Sequence, residues 1–156
     1  VSYIEKATPD SLKYVIKDMF KTITLYENRI IDVKSTELEN GKYQVDIEFE
    51  IAKYRNDEKG KKFYGEKVGD TLSYKTTEMK RPVLSVPLED YIDIGIFSEE
   101  EVDGEKKEIE VYLQKHKITA IHNKVSIIVD EKPTEVGVDP YNKLIDTKSD
   151  DNRRSL

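Results

Sequence analysis

The residues able to carry chemistry gather near the end of the chain. Glu135-Val136-Gly137-Val138-Asp139-Pro140-Tyr141-Asn142-Lys143-Leu144-Ile145-Asp146 is followed by Thr147-Lys148-Ser149-Asp150-Asp151-Asn152. A calcium loop of the EF-hand kind needs acids at alternate positions, a central glycine and a closing glutamate. Here Lys143 and Leu144 follow Asn142 and no glycine comes after Asp139. An irregular calcium site drawn from Asp139, Asn142, Asp146, Asp150 and Asp151 stays open beside a structural reading. In that reading Asp139-Pro140 starts a turn, Asp139 or Asn142 bonds local backbone, and Tyr141, Leu144 and Ile145 dock the chain end.

Other reaction chemistries find little to use. There is no cysteine and no G-x-S-x-G elbow, so an activated nucleophile has no recognisable setting. Only two histidines exist, His116 and His122, about 20 Å apart on an extended strand at ~3.3 Å per residue. Neither stands in the H-E-x-x-H pattern of a zinc hydrolase, and Glu58-Lys59-Gly60-Lys61-Lys62 lacks the spacing of a phosphate loop. Asp46, Glu48 and Glu50 alternate along one strand, and Glu89-Asp90 precede another. A glycosidase pair needs carboxylates about 5–10 Å apart in a cleft, a spacing alternate strand positions meet trivially. They read as a solvated face that discourages edge-to-edge pairing. The chain itself is therefore expected to be non-catalytic, with no metal or cofactor site of its own.

Composition sets the frame for these residues. The 156 residues fit one domain with enough length for its own core. Hydrophobic and charged residues each make up 37%, which suits a thin, two-layer domain. The 26 basic and 32 acidic residues are interspersed and leave a net charge of −6, so no basic stripe marks a nucleic-acid binder. The absence of cysteine leaves the compartment open. No run of 18 apolar residues is present, and no membrane span is expected. The chain opens on Val1, which leads us to expect a processed or trimmed polypeptide with any targeting segment outside it.

Along the chain, Thr8-Pro9-Asp10 is a helix start signal. Leu12, Val15, Ile16, Met19, Phe20 and Ile23 then recur with helical period, predicting an amphipathic helix over 9–25 with Lys13, Lys17, Asp18 and Lys21 on its polar face. After Asn28 the period changes to two. A first strand is expected over 29–38, a turn at Glu39-Asn40-Gly41, and a second strand whose Tyr43, Val45, Ile47, Phe49 and Ile51 face inward. Residues 55–85 read as a protruding hairpin or loop insertion, with Lys62-Phe63-Tyr64 and Leu72-Ser73-Tyr74 as its strands. Ile92, Ile94 and Ile96 mark another strand, 99–107 a charged turn, Ile109–Ile118 a further strand, His122-Asn123 a turn, Val125–Val129 a strand, and Val136–Val138 a short last one. Strands at hairpin spacing without intervening helices indicate an antiparallel sandwich.

Ala7-Thr8-Pro9-Asp10-Ser11-Leu12-Lys13-Tyr14-Val15-Ile16-Lys17-Asp18-Met19-Phe20, together with residues 129–152, carries a resemblance. Both stretches resemble the C-terminal region of large membrane-associated proteins, mostly of Bacteroidetes, in which a gluzincin-type, aminopeptidase N-like domain follows a permease-like segment. The similarity is strongest over 7–26 and 128–152, and 55–85 is longer than such proteins suggest. Since the family's zinc motif has no counterpart here, no catalytic residue carries over.

The expected fold is mainly β, an antiparallel immunoglobulin-like β-sandwich with one N-terminal amphipathic helix. The expected divisions are a connector over 1–27, the sandwich over 28–146 and a tail over 147–156. The resemblance implies an accessory domain behind a catalytic domain that holds the zinc, supporting the substrate channel on the extracytoplasmic side of a membrane. Its implied partners are that preceding peptidase domain and peptide substrate. Leu12, Val15, Met19 and Ile23 are the helix's docking face, and any exposed remainder would favour a homodimer. The alternative is a stand-alone binding or adhesion module, using Phe63, Tyr64 and Tyr74 as an aromatic patch.

Overall fold

The computed structural model describes residues 2–21, 23–56, 62–63, 73–74, 83–84 and 88–156. Two antiparallel sheets pack against each other, and the helices occupy one end. A short helix α1 (Ser2–Ala7), a 3₁₀ turn (Asp10–Leu12) and helix α2 (Lys13–Phe20) lead into strand β1 (Ile23–Glu37). The single helix expected over 9–25 is thus broken at both ends. Pro9 leaves the helical region at ψ 146°, and Ile23 begins the strand. Ile23 satisfies the i+11 phase of a helix and equally the alternation of β1, and pairing with Asn56 decides for the strand.

β1 pairs with β2 (Tyr43–Asn56) through a turn in which Gly41 takes φ 77°, a left-handed conformation that suits glycine. On its other side β2 pairs with the two-residue strand β3 (Lys62–Phe63) near its end. The two-residue strands β4 (Ser73–Tyr74) and β5 (Val83–Leu84) pair with each other. Of the expected hairpin in 55–85, Tyr64 and Leu72 lie outside the described residues.

The second sheet is built on β6 (Asp90–Val102) and β7 (Glu105–Ile118), joined at Asp103-Gly104 with φ 54° and 81°. Two positive φ values match the twist that a two-residue hairpin turn requires. The charged stretch 99–107, expected as a turn, is mostly strand. β8 (His122–Val129) crosses back to pair with β2 over Tyr43–Glu50, so His122-Asn123 is the start of a strand and not a turn. β9 (Glu135–Val138) pairs with β6, and residues expected as a tail form β10 (Arg153–Ser155), which pairs with β9. The second sheet therefore runs β10-β9-β6-β7.

The core lies between the sheets. Val45, Ile47, Phe49 and Ile51 of β2 meet Ile92, Ile94 and Ile96 of β6 and Val136 and Val138 of β9. At about 25 cal/mol per Å² of apolar surface removed from water, these side chains supply the main stabilising term. Among the described residues no helix is long and apolar enough to cross a membrane.

Candidate functional site

The inward face of β2 does not end at Ile51. Lys53 takes the next inward position and its side chain is 0% exposed. An isolated buried ammonium is costly, so the site is built to hold it. Its Nζ lies 2.5 Å from Asp18 of α2 and 3.0 Å from each carboxylate oxygen of Asp90, at the start of β6. The rings of Tyr14 and Tyr26 flank it at 5.5 and 5.8 Å, within cation–π range. Burial, then the charges of Asp90 and Asp18, and a hydrogen bond to Asp90 hold the Tyr26 hydroxyl well above its ordinary pKa. Burial and the same acids raise Tyr14, whose hydroxyl donates to the Glu89 carbonyl. The helical end of the sandwich is closed by this ionic plug.

That plug turns the helix away from the expected orientation, with only part of the apolar stripe facing inward. Asp18, assigned to the polar face, is buried, together with Ile16. Of the expected docking face, Val15 is half-buried, whereas Leu12 is 39%, Met19 69% and Ile23 48% exposed, beside Phe20 at 52%. Tyr3 and Ile4 of α1 are exposed as well. The helices therefore sit on the sandwich through this charge cluster and Ile16, and present several other apolar side chains to solvent. Lys53 was legible as a lysine in phase with five inward apolar residues. A charged side chain at that phase ordinarily marks the end of a buried run, which is why the inward face is expected to end at Ile51.

Asp139, Asp146 and Asp151 of the acidic stretch engage local partners, and Asp150 lies in a 3₁₀ turn over Ser149–Asp151. Asp139, at φ 48°, accepts the Lys143 and Leu144 N–H groups at 3.0 and 2.8 Å. Asp146 accepts the N–H of Asn28 at 2.9 Å and of Lys148 at 2.8 Å. Asp151 is paired with Lys148. Between β9 and β10, residues 139–152 form a clasp that crosses to β1. Tyr26 N–H donates to the Ile145 carbonyl, and Thr147 N–H donates to the Tyr26 carbonyl. Pro140 lies over Gly95 and Gly137, which face each other on β6 and β9. Asn142 is a turn residue, with its N–H donating to the Asp139 carbonyl.

The remaining candidates are dispersed. His122 Nδ1 pairs with buried Glu50 at 2.9 Å, and His116 Nε2 meets the Tyr112 hydroxyl at 2.7 Å. Asp46 is engaged by Ser126 and Gln44, and Glu48 by Lys124. No group of three metal-ligating side chains converges among the described residues. Phe63 and Tyr74 fall in β3 and β4, which do not pair with each other, and Tyr64 lies outside the described residues. Comparison with protein-family models, curated proteins and solved structures finds no match, and nothing in it links the chain to aminopeptidase-like proteins.

Proposed function

We propose that this chain is a non-catalytic accessory β-sandwich that sits on a neighbouring folded domain through its N-terminal helices. The observation that carries the reading is the orientation of α2, which buries Asp18 and leaves Met19 and Phe20 in solvent, beside Leu12 of the preceding turn. A cluster of exposed apolar side chains on an otherwise highly charged chain suits a protein contact better than free solution. The passage of the chain from β7 to β8 and back to β9, between the two sheets, supports an immunoglobulin-like arrangement of the strands. The resemblance at 7–26 and 128–152 supplies the proposed neighbour: a preceding zinc aminopeptidase-like domain of a membrane-associated protein, on its extracytoplasmic side. In that setting the zinc and the peptide substrate belong to the neighbour, and this chain buttresses the substrate channel.

Amide exchange over residues 12–23, compared between the 156-residue chain and the full natural reading frame that encodes it, tests the reading. Protection should rise in the longer protein, which should also bind zinc. Unchanged exchange overturns the docking surface, and a frame opening just before Val1 overturns the peptidase neighbour. Concentration-dependent dimers of the chain alone, lost on Met19→Ser/Phe20→Ser, would assign the same surface to a second copy. A stand-alone binding module is the second reading, favoured by an open groove at the opposite end of the sandwich.

A further inference from the structure

A groove of about 570 Å³ opens beside β1 at the end of the sandwich away from α2. Val33, Tyr43 and Pro133 give it an apolar floor, and Lys34, Lys132 and Arg154 line it with positive charge. Glu37 is the acid in the same lining. None of the three cations forms an ion pair among the described residues. Arg154 donates to the Ile31 carbonyl, and Lys34 faces Asp46 across the strand pair; the Asp46 carboxylate takes its hydrogen bonds from Ser126 and Gln44, and the Lys34 charge acts on it without a close ion pair. A chain of net charge −6 thus keeps three cations together in one concavity, opposite in sign to the rest.

The groove also borders unused backbone. β1 is the outermost strand of its sheet. Its outer edge is engaged at Tyr26, Asn28 and Ile31, by Ile145, Asp146, Thr147 and Arg154. A register shift separates Ile30 from Asp32, and beyond it the alternation of an antiparallel strand turns the N–H and C=O groups of Val33, Ser35 and Glu37 outward. An open edge of this kind templates an added strand.

We infer that this groove binds an extended peptide segment that pairs with β1 over Val33–Glu37. Its acidic side chains would face Lys34, Lys132 and Arg154, and an apolar side chain would rest on Val33, Tyr43 and Pro133. Main-chain pairing supplies the affinity, and the cations set the preference for acidic sequence. Five residues of edge span about 17 Å, the length of an ordinary strand. Three cations are too few for a nucleic-acid track, which needs a basic stripe along the backbone.

The test is an amide NMR titration of the 156-residue chain with an acetylated, amidated decapeptide alternating Glu and Val. Shifts should concentrate at Val33–Glu37, and affinity should fall as salt rises. Lys34→Ala/Lys132→Ala should weaken binding on the order of tenfold with a nearly unchanged melting curve, since both side chains are exposed and the Lys34 charge acts on Asp46 only through solvent-screened attraction. Ser35→Pro, which deletes one outward N–H at an edge position that tolerates proline, should weaken it further. Shifts absent from Val33–Glu37, equal binding of a Lys-Val decapeptide, or the same shifts from a ten-residue oligothymidylate would each overturn the proposal.

Discussion

The clasp at residues 139–152 and the helices at residues 2–20 both close the sandwich, with different chemistry. The clasp uses its carboxylates as acceptors for backbone N–H groups, at Asp139 for Lys143 and Leu144 and at Asp146 for Asn28 and Lys148. It also exchanges main-chain hydrogen bonds with Tyr26. The helices depend on side chains, with Lys53 buried between Asp18 and Asp90, and expose much of their apolar surface. One end is fixed to backbone and the other rests on one buried cation, so the two should fail differently when perturbed.

The largest effect should come from the cation. Lys53→Met deprives the carboxylates of Asp18 and Asp90 of the ammonium they share in a buried site. Removing one partner of a buried charge pair costs about 3–5 kcal/mol. Chemical denaturation should report a loss of that size, while Asp18→Asn/Lys53→Met/Asp90→Asn, which removes these three charges together, should recover most of it. If Lys53→Met melts like the wild type, α2 is not held by the ionic plug and the contrast with the clasp collapses.

At the clasp the corresponding change is steric. A Cβ at Gly137 would lie 2.6 Å from the Cβ of Pro140, and one at Gly95 would lie 2.9 Å from the Phe97 ring. Gly137→Ala should destabilise by about 1–3 kcal/mol, the usual cost of overpacking. Amide exchange should rise around 139–147 and stay unchanged over α2. Faster exchange in α2 would mean that the two ends are coupled through the sheets.

A smaller, pH-dependent difference separates two acids beside the clasp. For Asp93, burial works to raise the pKa, but hydrogen bonds and charges from Lys143 and Lys115 prevail and hold it below the usual carboxylate range. A carboxyl lowered in the folded state adds stability that is full above its unfolded pKa and lost as pH falls through its folded one. Asp139 behaves oppositely. Burial outweighs the N–H groups of Leu144 and Lys143 and raises it, so its contribution is favourable in acid and lost as pH rises. Asp93→Asn should cost about 1 kcal/mol at neutral pH, discounted because both lysines are half-exposed and screened by solvent. The difference from wild type should shrink below roughly pH 4. A constant difference across that range would show that the interaction with the lysines does not depend on ionised Asp93.

The sequence disclosed the central strands better than either closing region. Strict alternation from Tyr43 to Ile51 exposed β2, and Glu39-Asn40-Gly41 its turn, because both signals are local. The isoleucines of 92–96 located β6 for the same reason. Charge hid the outer halves of β6 and β7, where Glu99 pairs across to Lys106 beyond the core and no apolar pattern remains. Helical phase predicted a helix near 9–25, but its length was overstated because Ile23 suits either period. Its orientation was hidden because Lys53, the group that turns Asp18 inward, is distant in the chain. The clasp's partners, Tyr26 and Asn28, are equally distant, so the N–H donors that Asp146 draws from across the fold are not legible in the sequence.

The least perturbing change is the one aimed at function. Met19→Ser/Phe20→Ser removes apolar surface that the sandwich does not cover, so stability should move by no more than about 0.5 kcal/mol. Ile16→Ser, one turn away on the same helix but buried, should cost about 2–4 kcal/mol through lost burial and an unsatisfied hydroxyl. The contrast between the two variants reads the orientation of α2 directly from thermal melts. Should Met19→Ser/Phe20→Ser prove as damaging as Ile16→Ser, those side chains are covered within the chain itself. The helices would then be part of the core, with no apolar surface left over to meet a neighbour.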